Sequence, residues 1–220
     1  MSDLSPPKAI IFDWDNTLVD TWPTIHDAMN TTLKHFGHDL WNLSETRTRV
    51  RKSMRDSFPV LFGDQWEDAA TIFYDRYTAI HLERLEPLDH AGVMLKHLHE
   101  AGIFLAIVSN KTGSYLRCEA EHLGWNIYFE NLIGASDALH DKPASDPVHM
   151  ALEGSGLTAG SDIWFAGDAD IDLECGLNAG CIPVLIREEK PKPGEFDSHP
   201  PARHVKNSKE FKDLVLNTLV

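Results

Sequence analysis

Lys8-Ala9-Ile10-Ile11-Phe12-Asp13-Trp14-Asp15-Asn16-Thr17 runs from an unbroken apolar stretch straight into a cluster of acids. A strand covered on both faces of a sheet is apolar throughout rather than alternating, so residues 8–12 read as a buried parallel strand. Similar runs recur at Ile103 to Val108, Leu132-Ile133, Ile163 to Ala166 and Ile182 to Ile186. Helical patterns lie between most of them. Asp89 to Ala101 places Val93, Leu95 and Leu98 near one face and stops at Gly102, and Thr112 to Leu123 stops at Gly124. Asp146-Pro147 reads as a helix start, because proline at the first helical position loses no hydrogen bond, and Gly154 and Gly156 end that helix. Strand alternating with helix predicts an α/β fold, an open parallel sheet with helices on both faces.

One stretch breaks the alternation. From Thr21 to Leu88 the periodicity is helical only. Trp22 to Phe36 is a first helix ending at Gly37. Ser44 caps a second, with Val50, Met54 and Phe58 on one face, and Asp64 to Leu85 makes a third. The chain therefore divides into a core of residues 1–18 and 88–220 and a helical insert of residues 19–87. From Arg187 to Ala202 four prolines mark a loop, followed by a short strand near Val205 and a final helix from Ser208.

The 220 residues suffice for one good core, and 42% hydrophobic with 25% charged residues is globular usage. The formal charge of −14 argues against a nucleic-acid partner and against attachment to anionic lipid. No apolar run approaches the ~20 residues of a membrane span. The first seven residues lack the basic and apolar regions of a signal peptide, which points to the cytoplasm. Cys118, Cys175 and Cys181 form no Cys-x-x-Cys pair, so neither a disulfide framework nor a zinc site is expected.

In an open parallel sheet, ligands bind outside the carboxyl ends of the strands. Asp13-Trp14-Asp15-Asn16-Thr17 follows the first apolar run and Ser109, Asn110 and Lys111 the second. Lys142 follows the third, and Gly167-Asp168-Ala169-Asp170-Ile171-Asp172 the fourth. Singly these are turn formers and helix caps. The alternating aspartates lack the Gly and distal Glu of a calcium loop. Together they describe one chemistry. Clustered carboxylates repel and favour a bound cation, and an all-oxygen donor set favours magnesium over zinc. A carboxylate can attack a phosphorus whose charge the metal and a lysine neutralise. A second carboxylate two residues on can protonate the leaving oxygen and later deprotonate water. The side chains of Ser109 and Asn110 can hold the phosphoryl oxygens.

These motifs, in this order, resemble the haloacid dehalogenase superfamily, in particular its phosphatase branch with a helical cap. The resemblance extends from Ile10 to Ile186. Leu105-Ala106-Ile107-Val108-Ser109-Asn110-Lys111 and Ala166-Gly167-Asp168 are similar to the phosphoglycolate-phosphatase-like group. It implies a Rossmann-like core and a cap that closes over the substrate, a small-molecule phosphate ester. It also implies Asp13 as nucleophile, forming an aspartyl-phosphate, Asp15 as general acid and then base, and Lys142 as charge stabiliser. Thr17, Ser109 and Asn110 would orient the phosphoryl group. Magnesium would be held by Asp13, the Asp15 main-chain carbonyl and Asp168, with Asp172 supporting from behind. Asn16 stands where glycine is commonest, and asparagine tolerates unusual backbone angles. Asp170 is an additional acid, read as exposed or in a supporting position. Trp14 is shared with phosphonate-cleaving relatives, but those lack an acid at the position of Asp15, as do the dehalogenases. Asp15 therefore favours phosphate-ester chemistry.

Arg47, Arg51 and Arg55 recur every four residues, which predicts one basic helix face. It is either a solvated face or, through Arg51, a contact for an anionic group of the substrate. His26 is a weaker candidate, and Trp22, Trp41 and Trp66 read as core or hinge of the insert. Two other functions stay open: a phosphomutase of the same superfamily, and a ligand-binding or regulatory descendant without turnover. Periodicity does not give an oligomeric state.

Overall fold

The computed structural model describes residues 4–50 and 52–219. The chain forms two compact units, one comprising the segments up to Val19 and from Pro87 onward, the other Asp20–Glu86.

Along the chain, β1 (Ala9–Phe12) leads into the short β2 (Val19–Asp20), which pairs with β3 (Glu86–Pro87) in a two-stranded ribbon. Further along come β4 (Phe104–Thr112), β5 (Asn131–Ala135), β6 (Ile163–Gly167), β7 (Ile182–Ile186) and β8 (Arg203–Val205). With β1 they build a parallel sheet in the order β5-β4-β1-β6-β7-β8. β1 is interior, and Ile10 has Leu105 on one side and Trp164 on the other. This placement accounts for the continuous apolar run of residues 9–12, all fully buried.

Successive side chains point to opposite faces. Ala9 and Ile11 join Ala106, Val108, Ile163 and Phe165 in a core that includes Val148 and Ala151 of α7 (Asp146–Ala151) and Cys175 of α8 (Asp170–Asn178). On the other face the Phe12 ring meets Phe211 of α9 (Ser208–Thr218), centroids 5.4 Å apart. In α5 (Ala91–Glu100) the buried residues are Ala91, Met94, Leu95 and Leu98. Val93, expected on that face, is 52% exposed. It lies two residues from Leu95, about 200° around the helix, whereas 91, 94, 95 and 98 form the i, i+3, i+4, i+7 stripe. The proline-rich loop is anchored by Arg187, which donates to both Glu195 oxygens at 2.8 and 2.9 Å, and by Phe196, buried against Leu173 and Leu185.

The second unit is helical: α1 (Trp22–His35), α2 (Leu43–Arg49), α3 (Met54–Phe62) and α4 (Trp66–Ile80). Asn42, not Ser44, caps α2: its Oδ1 accepts from Glu45 N at 3.0 Å, and Glu45 Oε2 accepts from Asn42 N at 2.8 Å. The second helix also breaks at Val50, which is extended, so Val50, Met54 and Phe58 do not share one helix. Thr46, Thr48 and Val50 are β-branched and weaken the helix, and the Ser53 carbonyl starts a new one by accepting from Asp56 and Ser57 N–H. Arg47 and Arg55 therefore sit on different helices, and Arg51 lies outside the described residues. The Arg47 guanidinium lies 5.9 Å from the Trp22 ring and that of Arg49 4.9 Å from the Trp41 ring. His26 pairs with Thr46 at 2.9 Å and with Asn30 at 3.3 Å, tying α1 to α2. Among the described residues no helix is long and apolar enough to cross a membrane.

Candidate active site

The site is built from loops at the carboxyl edge of the sheet. Asp13 N donates to Ala166 O at 2.9 Å, which carries β1 pairing one residue past the strand. The chain then turns back, with Leu18 N donating to Trp14 O at 3.0 Å and Asn16 N to Val19 O at 2.7 Å. Asn16 occupies the left-handed region at φ +65°, the conformation its side chain was expected to tolerate. This turn aims Asp13 inward and brings Thr17 beneath it, the Thr17 hydroxyl donating to Asp13 Oδ2 at 3.3 Å. Both side chains are buried.

Lys142 is buried as well, although a lysine before proline is ordinarily solvated. Its ammonium donates to Asp13 Oδ1 at 2.6 Å and to Asp172 Oδ1 at 2.7 Å. Asp172 Oδ2 accepts from Ala169 N at 3.0 Å, so both its oxygens are engaged. The Lys142 loop is pinned from two sides. Asn110 donates to Lys142 O at 3.2 Å, while Asn178 and Cys175 of α8 donate to Pro143 O and Ala144 O at 2.9 and 3.2 Å. Gly167 makes the close approach of α8 possible, since a Cβ there would lie 2.3 Å from the Asp172 Cβ.

The electrostatics follow from the burial. Desolvation pushes the Asp13 carboxyl up to about 7, against the pull of Lys142 and with Asp172 and Asp15 adding to the rise. Burial also works against the Lys142 charge, but the Asp13 and Asp172 carboxylates outweigh it and hold the ammonium above its ordinary range. Asp13, Asp168 and Asp172 each bring a carboxylate oxygen to within 4.8 Å of the others. Three acids against one ammonium leave room for a cation, and a donor set made only of hard oxygens fits magnesium.

The structure thus brings together Asp13, Thr17, Lys142, Asp168 and Asp172. Ser109 is buried within β4, the strand beside β1, its hydroxyl accepting from Lys111 N at 3.2 Å. Asp15 is ion-paired with Lys111, Oδ1 to Nζ 2.8 Å. Asp170 is exposed and contacts His199 at 3.3 Å. Glu119 of α6 (Gly113–His122), which receives Lys111 at 2.7 Å, is a residue that the sequence reading missed. Its signal was present: Glu119 falls on the buried stripe of α6 beside Leu116 and Ala120, where an apolar residue is the rule.

The profile of the haloacid dehalogenase-like hydrolases matches residues 10–186. The phosphoglycolate phosphatase of Xanthomonas campestris pv. campestris is 30% identical over 79% of this chain and 80% of its own length. A pyrophosphatase of Halalkalibacterium halodurans is 25% identical over 81% of this chain and 83% of its own. A crystal structure of a hydrolase of the same superfamily from Ehrlichia chaffeensis superposes with a TM-score of 0.68 at 27% identity, over 99% of this chain and all of the other. The sheet order, the loops at its carboxyl edge and these likenesses agree: the chain belongs to the haloacid dehalogenase-like hydrolase family.

Proposed function

We propose that this enzyme is a magnesium-dependent phosphatase that hydrolyses a small phosphorylated metabolite through a phosphorylated Asp13, with 2-phosphoglycolate the first substrate to try. The observation that carries the reading is the buried Asp13–Lys142–Asp172 group, with Thr17 on the second Asp13 oxygen. An Asp13 oxygen attacks phosphorus, a new P–O bond forms, and the bond to the alkoxide breaks. Asp15 gives the leaving oxygen its proton. In the second half Asp15 takes a proton from water, whose oxygen attacks phosphorus and releases inorganic phosphate and the Asp13 carboxylate. Lys142 meets the negative charge, and Thr17, Ser109 and Asn110 orient the phosphoryl oxygens, Asn110 while also fixing the Lys142 loop. Asp13, Asp168 and the Asp15 main-chain carbonyl would hold the metal, supported by Asp172, and magnesium would supply charge neutralisation when bound. We read the helical unit as the cap, inserted directly after the Asp13–Asp15 turn.

The test is phosphate release from 2-phosphoglycolate, pyrophosphate, sugar phosphates and p-nitrophenyl phosphate, with magnesium and with chelator. Wild type turns over at least one ester only with magnesium, and Asp13→Asn loses more than about a thousandfold. Turnover surviving in Asp13→Asn refutes the covalent route. A requirement for a trapped bisphosphate converts the reading to a mutase, and tight magnesium-dependent ligand binding without turnover converts it to a binding protein.

A further inference from the structure

Asp15 belongs to a second group of charged side chains, distinct from the Asp13–Lys142–Asp172 group. The Lys111 ammonium lies 2.8 Å from Asp15 Oδ1 and donates to Glu119 Oε2 at 2.7 Å. The same Glu119 oxygen accepts from Trp14 Nε1 at 2.8 Å. Glu119 and Trp14 are fully buried, and the Lys111 side chain is 5% exposed. A carboxylate without solvent persists only when paired and hydrogen-bonded, and a well-packed apolar residue would serve stability as well.

What an apolar residue would not do is close a ring. Trp14 is bonded in the chain to Asp15, Asp15 pairs with Lys111, Lys111 with Glu119, and Glu119 returns to the Trp14 indole. The ring joins the turn after β1 to the end of β4 and to α6, so the Asp15 carboxyl is located relative to three elements at once. Without Glu119 the Lys111 chain, four methylenes long, loses the carboxylate that fixes its ammonium beside Asp15. We propose that Lys111 and Glu119, closed by the Trp14 indole, are positioning residues that hold the Asp15 carboxyl where it meets the leaving oxygen. This rests on the reading of Asp15 as the acid given above.

A positioned acid matters only where the leaving oxygen needs a proton. The experiment is therefore a rapid-quench, single-turnover measurement of phosphoenzyme formation with two probes. One is 2-phosphoglycolate, or the best alkyl ester of the panel, whose alkoxide leaves poorly unless protonated. The other is p-nitrophenyl phosphate, whose phenolate leaves without a proton. Glu119→Gln lowers the alkyl rate about 10- to 100-fold and the aryl rate less than about threefold. Trp14→Phe keeps an aromatic side chain but removes the N–H together with the five-membered ring, and gives the same selectivity with a smaller loss. It carries the test if Glu119→Gln does not fold. Equal losses on both probes, or an unchanged or faster alkyl rate, overturn the inference. Asp15→Ala separates the two readings. If it is selective for the alkyl ester and the Glu119 and Trp14 variants are not, only the positioning role falls. If Asp15→Ala is not selective, the acid role falls and takes the positioning role with it.

Discussion

Gly167 and Asp172 illustrate how tightly single residues are specified around the Lys142 ammonium. A methyl group on Gly167 collides with the Asp172 Cβ and carboxyl, which form the floor under Lys142. Gly167→Ala should destabilise the fold by about 1–3 kcal/mol, as overpacking does. It should also depress phosphate release about tenfold or more, because Asp172 cannot yield without moving Lys142. Thermal melts and steady-state rates check the two parts, and normal turnover in this variant would show that the Lys142–Asp172 contact is dispensable. At this scale the sequence was most legible where polarity changes abruptly. Asp13, Asp15, Ser109 and Asp168 each stand near the end of an apolar run, so a parallel sheet brings them to one edge, and Lys142 reaches it from the loop after β5. Glu119 was not legible in that way. It sits mid-helix, and its importance comes from partners 8 and 105 residues away in the chain.

Among the elements, α1 and α4 of the helical unit carry an ion cluster that amphipathic periodicity does not foretell. Arg76 donates to Asp27 through Nε and Nη2 at 2.6 and 2.8 Å, and Arg84 adds Nη1 at 2.9 Å. The Arg76 hydrogen bonds, with help from Arg84, hold the Asp27 carboxyl at about 2, below its usual 3.8. A carboxylate depressed by folding stabilises above its unfolded pKa and loses that contribution as pH falls through the folded value. Discounted for the partial exposure of the arginines, Asp27→Asn should cost about 1–2 kcal/mol at neutral pH. Urea melts of wild type and variant should converge as pH falls from about 4 to about 2. A difference that persists at the acid end would assign the effect to packing instead. The strands of the six-stranded sheet and most helix ends were legible because apolar runs and glycines mark them, whereas the short β3 falls inside the stretch read as helical only. The α2–α3 break was not, since Arg47, Arg51 and Arg55 keep the spacing of a continuous helix across a segment whose β-branched residues and Ser53 interrupt it.

On the scale of the whole molecule, burial also sorts the three cysteines. Cys175 and Cys181 are buried, and burial pushes their thiols up to about 12 and about 11. Cys118 is exposed on α6. A disulfide reagent at neutral pH should modify one thiol rapidly in the native protein and all three after unfolding, because only an accessible thiol can form the reactive thiolate. Fast reaction of two or more in the native state would contradict the packing of α8 on the sheet. The position of β1 inside the sheet has a further consequence, in time rather than in space. As the chain is synthesised, Ala9-Ile10-Ile11-Phe12 emerges before both of its partners, which begin only at Phe104 on one edge and Ile163 on the other. Long loops must close before either pairing is rewarded, which slows folding and leaves an apolar strand waiting unpaired. The strand that leads into Asp13 acquires its second neighbour only after the segment that begins at Ile163 has been made. A partly made chain is therefore spared a working site, but it exposes an apolar strand in the meantime.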